Sequence, residues 1–253
     1  MYRPRIIPCL LLEGRRLVKT KRFCGAEYVG DPINAVKIFN EKEVDELIVL
    51  DINASKSGAA PDFHYIESLA TECFMPVCYG GGVRSVADAE RIIACGVEKV
   101  SVNAAALNRL ELVSEIAMRY GSQSVTVGID VKQDWLRRVR VWNSALRRPI
   151  ALAPANWARR AADAGAGEIL LNAVDRDGTL MGYDLNLIKS ISDAVTVPVI
   201  ACGGASSLEN CKAAISAGGA SAAAAGALFV YQGPHRAVLI NYPTPNQLKG
   251  LFQ

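Results

Sequence analysis

Two short stretches of this 253-residue chain repeat one chemistry. Pro76-Val-Cys-Tyr-Gly-Gly-Gly-Val83 and Pro198-Val-Ile-Ala-Cys-Gly-Gly-Ala205 are apolar runs that stop at glycines, 122 residues apart. A serine then opens a helical pattern, Ser85 before Val86 to Ala94 and Ser207 before Leu208 to Ala217. Strand, tight turn and helix N-terminus in that order bring unpaired amides to one point, where an anion gains roughly 0.3–1 kcal/mol. Two such junctions predict two phosphates. Asp130 ends the apolar run that begins at Val125, the placement of a general acid or base; a helix cap or an ion pair with Lys132 is the plainer reading. Asp175-Arg-Asp-Gly-Thr179 combines two acids, a cation and a hinge, which suits a phosphorylated sugar or an ordinary polar loop. Lys19, in an insertion rich in Arg and Lys, either neutralises a phosphate or is solvated.

Elements that could position these residues come in strict alternation. Apolar runs at Ile6–Leu12, Glu46–Asp51, Val77–Tyr79, Lys99–Val102, Ser124–Asp130, Glu168–Asn172, Val199–Cys202 and Ala222–Ala225 read as strands buried on both faces. Helical patterns such as Pro32–Phe39, Phe63–Thr71, Leu110–Tyr120, Ala153–Ala164 and Leu185–Ala194 separate them. The glycine repeat extends to flanking strands at the same offset, so the chain is a doubled half-domain, about 1–122 and 123–253. Eight units in a 4 + 4 doubling predict one α/β domain, a (β/α)8 barrel. An open Rossmann sheet is the weaker alternative, because no G-x-G-x-x-G follows a strand. Insertions from Leu12 to Asp31 and from Lys132 to Pro149, the second patterned as a hairpin, are candidate lids.

In such a barrel the C-terminal strand ends form the site. Those ends are Leu11, Asp51, Gly80 to Gly82, Asn103, Asp130, Asn172 to Asp177, Gly203 with Gly204, and Ala225 with Gly226. At the opposite rim Arg5, Glu46, Lys99 and Glu168 stand at strand starts with alternating sign. They form either a structural ring of ion pairs or a gate across a pore for a small neutral molecule.

Composition narrows the class. A chain with 51% apolar residues and a net charge of +3, its cations scattered, has the core of a globular domain and little affinity for nucleic acid. Its seven cysteines form no C-x-x-C pair and read as reduced core residues of a cytosolic protein; neither metal nor cofactor is implied. Arg3 to Leu12 is too short and too broken by Pro8 for a signal peptide, and no run approaches the ~18 apolar residues of a membrane span.

Beyond these patterns, Arg5-Ile-Ile-Pro-Cys-Leu, Leu50-Asp-Ile-Asn-Ala-Ser55, Gly80-Gly-Gly-Val-Arg-Ser85, Glu98-Lys-Val-Ser-Val-Asn103 and Asp175-Arg-Asp-Gly-Thr-Leu-Met-Gly-Tyr-Asp184 resemble the cyclase subunit family of imidazole glycerol phosphate synthase. The resemblance covers nearly the whole chain. It implies a barrel that receives ammonia through its core from a glutaminase subunit docked on the N-terminal rim, gated by Arg5, Glu46, Lys99 and Glu168. It also implies one phosphate site at Gly81, Gly82 and Asn103, and another at Asp177, Gly178, Gly203 and Gly226, with Gly204 and Ala225 at the same strand ends. Ala104 and Gly226 stand where the family has hydroxyl residues. A larger departure concerns the family's two catalytic aspartates: Asp130 is present, but the strand-one position is Leu11, with Glu13 out in the loop. Leucine cannot transfer protons, so cyclase activity is expected to be weak or absent. The tail Gly233-Pro-His-Arg-Ala-Val-Leu-Ile-Asn-Tyr-Pro243 resembles a divergent branch tied to surface-polysaccharide (O-antigen) synthesis. That branch implies a second partner, a sugar amidotransferase converting an acetamido to an acetamidino group, docked at or sensed by the C-terminal face. A true cyclase and a non-conducting scaffold are the competing readings.

Overall fold

Strands covered on both faces need an apolar residue at nearly every position, and eight segments of this chain meet that demand. In the computed structural model, which describes residues 3–233 and 235–253, they are β1 (Arg5–Glu13), β2 (Leu47–Asp51), β3 (Val77–Gly80) and β4 (Lys99–Val102), then β5 (Val125–Gln133), β6 (Glu168–Ala173), β7 (Val199–Cys202) and β8 (Ala222–Ala225). Each pairs in parallel with the next, and β8 returns to β1 through Arg5↔Ala222 to Pro8↔Ala225, so the sheet closes. Closure with helices between the strands makes the protein a (β/α)8 barrel of the α/β class. β1–β4 precede residue 123 and β5–β8 follow it.

Side chains alternate along these strands, so the barrel buries two separate sets. Ile6, Leu10, Val49, Val100, Val127 and Ile169 point outward into the layer shared with the helices. Ile7, Cys9, Ile48, Cys78, Leu170, Ile200, Cys202, Ala222 and Ala224 form a distinct inner cluster. The all-alanine β8 leaves the bore little obstructed on that side. No helix of the described residues is long and apolar enough to cross a membrane.

Sequence and structure differ at the strand ends. β1 runs on to Glu13, which was expected in a loop, and β5 runs on to Gln133. Both extensions have the same cause: each strand finds an antiparallel partner in the insertion that follows it. In the first insertion Arg16–Lys21 pairs with β1 and with Cys24–Gly30, a first hairpin. In the second, Val139–Asn143 pairs with the end of β5 and with Arg148–Pro149, a second hairpin. Glu46 lies one residue before β2, and Ser124 in a short 3-10 turn before β5. The tail forms a small hairpin, Tyr231–Gln232 with Ala237–Val238, and a helix, Pro245–Leu251, opened by a Thr244/Gln247 capping box. Pro234 of the tail stretch lies outside the described residues.

Candidate functional site

The first residue of β1, β4 and β6 and the residue before β2 are charged, and all four side chains turn inward. Arg5 donates to Glu46 and to Glu168. Lys99 Nζ lies 3.0 Å from Glu46 and 2.8 Å from Glu168. Four charges thus close a ring across the N-terminal mouth, each cation bonded to both anions. Burial alone would pull the Lys99 ammonium down, but the pull of Glu46 and the bonds to Glu168 reverse it, and its pKa stands above the usual lysine value. Arg5 behaves the same way. Above the ring the bore is apolar apart from small polar groups. Thr126 Oγ1, fully buried beside Glu168 in register, has no hydrogen-bond partner among the described residues.

At the other end the bore opens into a cavity of about 280 Å³ lined by the C-terminal strand ends. Leu11, Lys19, Gly81, Gly82, Asn103 and Asp130 line it, and so do Asp177, Gly178, Gly203, Gly204, Ala225 and Gly226. Asp130 is the carboxylate that could transfer a proton. Burial pushes its pKa up to about 6, against the pull of hydrogen bonds from Ser144 and from Asn103 Nδ2 at 2.9 Å. It neither caps a helix nor pairs with Lys132, whose ammonium instead stands 4.5 Å over the Trp142 ring. Asp130 therefore exchanges protons near neutrality. Opposite it, Leu11 packs beside its register partner Leu50. Glu13 pairs with Arg16 and takes no part in the cavity, so β1 offers no second acid.

Lys19 is not a solvated lysine: it is 4% exposed, and its Nζ donates to the Cys9 carbonyl at 2.6 Å. No carboxylate lies within 4.0 Å of it among the described residues, and burial lowers its pKa. Its ammonium presses on the start of the last barrel turn, where a Cβ on Gly226 would come within 2.5 Å of Nζ. A buried cation at the cavity wall, within the field of Asp177 but with no carboxylate in contact, is what a phosphate would neutralise.

The glycine turns place their backbone at the cavity, but the anion argument shifts position. Ser85 and Ser207 cap their own helices, accepting from Asp88 N at 3.1 Å and Asn210 N at 3.4 Å, so those first turns are already partly satisfied. The short helices at Ala104–Asn108 and Ala227–Val230 begin at the cavity, and their N-cap residues Asn103 and Gly226 make no side-chain capping bond. Gly81 (φ 122°) and Gly204 (φ 108°) also have steric reasons to be glycine, since a Cβ would lie 2.5 Å from Asp51 O and 2.3 Å from Gly182 O.

The 175–179 loop is a clasp. Asp177 accepts from Thr20 Oγ1 at 2.8 Å and from Phe23 N at 3.4 Å, and Asp175 accepts from Gln133 N at 2.8 Å. One loop of β6 thus holds both hairpins over the cavity, and the Asp177 carboxylate is engaged before any ligand arrives. Sequence reasoning missed Ser144, which reaches Asp130 only because the second hairpin folds back. Asn172, one of the strand ends named from the sequence, has its Oδ1 buried at the cavity wall with no hydrogen-bond partner among the described residues. It stands in register with Asp130 on the neighbouring strand.

Comparison with known proteins agrees with this geometry. Residues 5–235 match the family described as histidine biosynthesis protein. A Pseudomonas aeruginosa chain provisionally named imidazole glycerol phosphate synthase subunit hisF2 is 51% identical over 248 residues, covering 98% of this chain and 99% of its own. A Leptospira interrogans chain, provisionally named subunit HisF of the same synthase, is 48% identical over the full length of both. A Nocardioides chain named imidazole glycerol phosphate synthase subunit HisF is 44% identical, covering 85% of this chain and 86% of its own. A closed barrel with a charged ring at one mouth and glycine turns at the other, matched along its whole length, belongs to the histidine biosynthesis protein family, among the homologues of subunit HisF.

Proposed function

We propose that this chain is an ammonia-conducting barrel. It receives ammonia from a glutaminase subunit seated on its N-terminal rim and passes it through the bore to a sugar amidotransferase that forms an acetamidino sugar for surface polysaccharide. The relatives' names as subunits of a synthase make a multi-subunit assembly the natural context. The observation that carries the reading is the pairing of a complete four-charge mouth with an incomplete proton-transfer site, Asp130 facing Leu11. A neutral ammonia molecule crosses an apolar bore far more readily than ammonium, whose burial costs several kcal/mol. Arg5 and Lys99 repel the cation further. Because both stay charged well above neutral pH, the ring opens by side-chain rotation and not by loss of a proton.

Ring closure and cleavage by a cyclase need proton transfer on two sides of the substrate, and the cavity holds Asp130 with Leu11 opposite it. Its other carboxyls, Asp51 and Asp177, are held by backbone amides of the 53–54 turn and by the first hairpin. The test incubates the purified chain with ammonium and the imidazole-pathway nucleotide, and separately reconstitutes it with glutaminase and amidotransferase. The expected result is no turnover of the nucleotide, and glutamine-coupled transfer that falls when Lys99→Ala is introduced while the complex still assembles. Steady nucleotide turnover would establish the genuine cyclase reading, which the retained phosphate-facing glycines and Asp130 favour. Transfer indifferent to Lys99→Ala and Arg5→Ala would leave only the scaffold. A phosphorylated small molecule bound between Lys19 and the glycine turns is part of the proposal, with no cofactor or metal, in the cytoplasm.

A further inference from the structure

The second hairpin carries exposed apolar and basic side chains that folding does not use. Trp135 is 86% exposed at its tip, with Leu136, Val139 and Leu146 also exposed, four of the ten large apolar side chains left open among the described residues. The same eighteen residues, Lys132 to Pro149, hold six basic residues against the single acid Asp134, a local net charge of +5 in a chain whose total is +3. Arg137, Arg147 and Arg148 have no carboxylate within 4.0 Å among the described residues; Arg138 alone is paired, to Asp134 at 2.7 Å. The tip is also pre-shaped. Asp134 accepts from Leu136 N and Arg138 N at 2.9 Å each, and Arg137 N returns to Asp134 O at 2.9 Å. A turn fixed by its own hydrogen bonds thus presents Trp135 and Leu136 to solvent with little entropy left to lose on association.

We infer that this hairpin is the docking element for the protein that takes up the ammonia, and that this partner meets it with an acidic surface surrounding an apolar recess. The inference rests on the conducting role proposed above and names the surface through which the C-terminal mouth is joined. Charge complementarity fixes the sign of the partner: unpaired guanidinium groups gain most from carboxylates. Position fixes which partner. Trp142, Ser144 and Arg147 of the same hairpin line the cavity, so a protein seated on its tip covers the exit of the bore. An anionic bilayer would also attract Trp and Arg. Here Val139 and Leu146 sit next to Arg140 and Arg147 along the arms, not segregated at one depth, and a lipid surface would close the exit to a polar acceptor.

The test measures association of the full chain with the sugar amidotransferase of the same organism by calorimetry, and with phosphatidylglycerol vesicles by sedimentation. Two variants are compared with wild type, Trp135→Ser combined with Leu136→Ser, and Arg137→Glu combined with Arg148→Glu. Both are expected to weaken association about tenfold or more, the charge variant losing most of the salt dependence, while glutaminase binding at the far rim stays unchanged as the fold control. Wild-type affinity in both variants overturns the inference and leaves the conducting role standing. Vesicle binding that both variants abolish, with amidotransferase binding intact, overturns it in favour of a membrane surface. No association of the wild-type chain with the amidotransferase overturns the proposed function and this inference together.

Discussion

Lys99 and Lys19 sit at the two ends of one bore, and their pKa values move in opposite directions. Both are withdrawn from water. Lys99 is bonded to Glu46 and Glu168, and the pairing overrides burial; Lys19 has a carbonyl for company, and burial wins. Asp130 and Asp177 at the C-terminal end follow the same logic, burial raising both, Asp130 to about 6 where hydroxyl and amide donors replace a cation. The two cations of the N-terminal mouth therefore keep their charge through neutrality, and Asp130 in the cavity responds there. In the conducting role proposed above, a gate that excludes ammonium benefits from the first property, and a site that binds an anion or moves a proton from the second.

The strongest way to break this comparison is to unbalance the ring. Glu46→Ala leaves Arg5 and Lys99 sharing one anion, and the expected loss in urea unfolding is about 4 kcal/mol, because an uncompensated buried charge remains. Replacing all four charges together by Leu and Met of similar volume is expected to be neutral or stabilising, since desolvation disappears along with attraction. A loss below about 1 kcal/mol for Glu46→Ala would mean the four groups do not act as one unit.

The next test concerns the isolated acid. Asp130 has a folded value of about 6 against about 3.9 when unfolded, so between those values the folded chain binds more protons and stability falls as pH rises. A rise of about two units corresponds to about 3 kcal/mol. Asp130→Asn has no such slope, so its stability relative to wild type should improve by about that amount between pH 4 and pH 7. Parallel curves for the two proteins would show that Asp130 titrates as an ordinary carboxylate.

Lys19 gives a smaller effect with a second readout. Its folded pKa is depressed, so the unfolded chain binds more protons between that value and about 10.4, and wild-type stability should rise with pH across that window. Lys19→Met should abolish the rise, leave stability at pH 7 unchanged or higher, and remove the increase in Tm expected of wild type in inorganic phosphate if the proposed anion site binds it. Undiminished protection by phosphate in the variant would take Lys19 out of the anion site.

What could be read in the sequence separates along the same line. The strands were legible because burial on both faces forces local composition, and the ring because strand starts share one rim; Leu11 was legible as a single exchanged residue. Contacts made when an insertion folds back were not. Nothing near Thr20 announces Asp177, and nothing near Ser144 announces Asp130 fourteen residues away. Ser85 and Ser207 were correctly placed at helix starts, yet their role as caps uses the first turns that the glycine pattern seemed to offer an anion. Local pattern specifies which group is present, and only the hairpins decide which partner it keeps.

The smallest effect probes that last point. Ser144 donates to Asp130 from the second hairpin and stabilises the ionised form, so Ser144→Ala should move the Asp130 pKa further upward. The hydroxyl is worth about 1.5–3 kcal/mol as a bond to a charged group and less where Asn103 strengthens its own bond in compensation. Titration of the Asp130 side-chain carbon signal by NMR reads the shift directly, and Ser144→Thr, which keeps the hydroxyl, should restore the wild-type midpoint. A Ser144→Ala midpoint at or below that of wild type would mean that the hairpin covers the cavity without tuning it, and the pH response of the C-terminal end would then belong to burial alone.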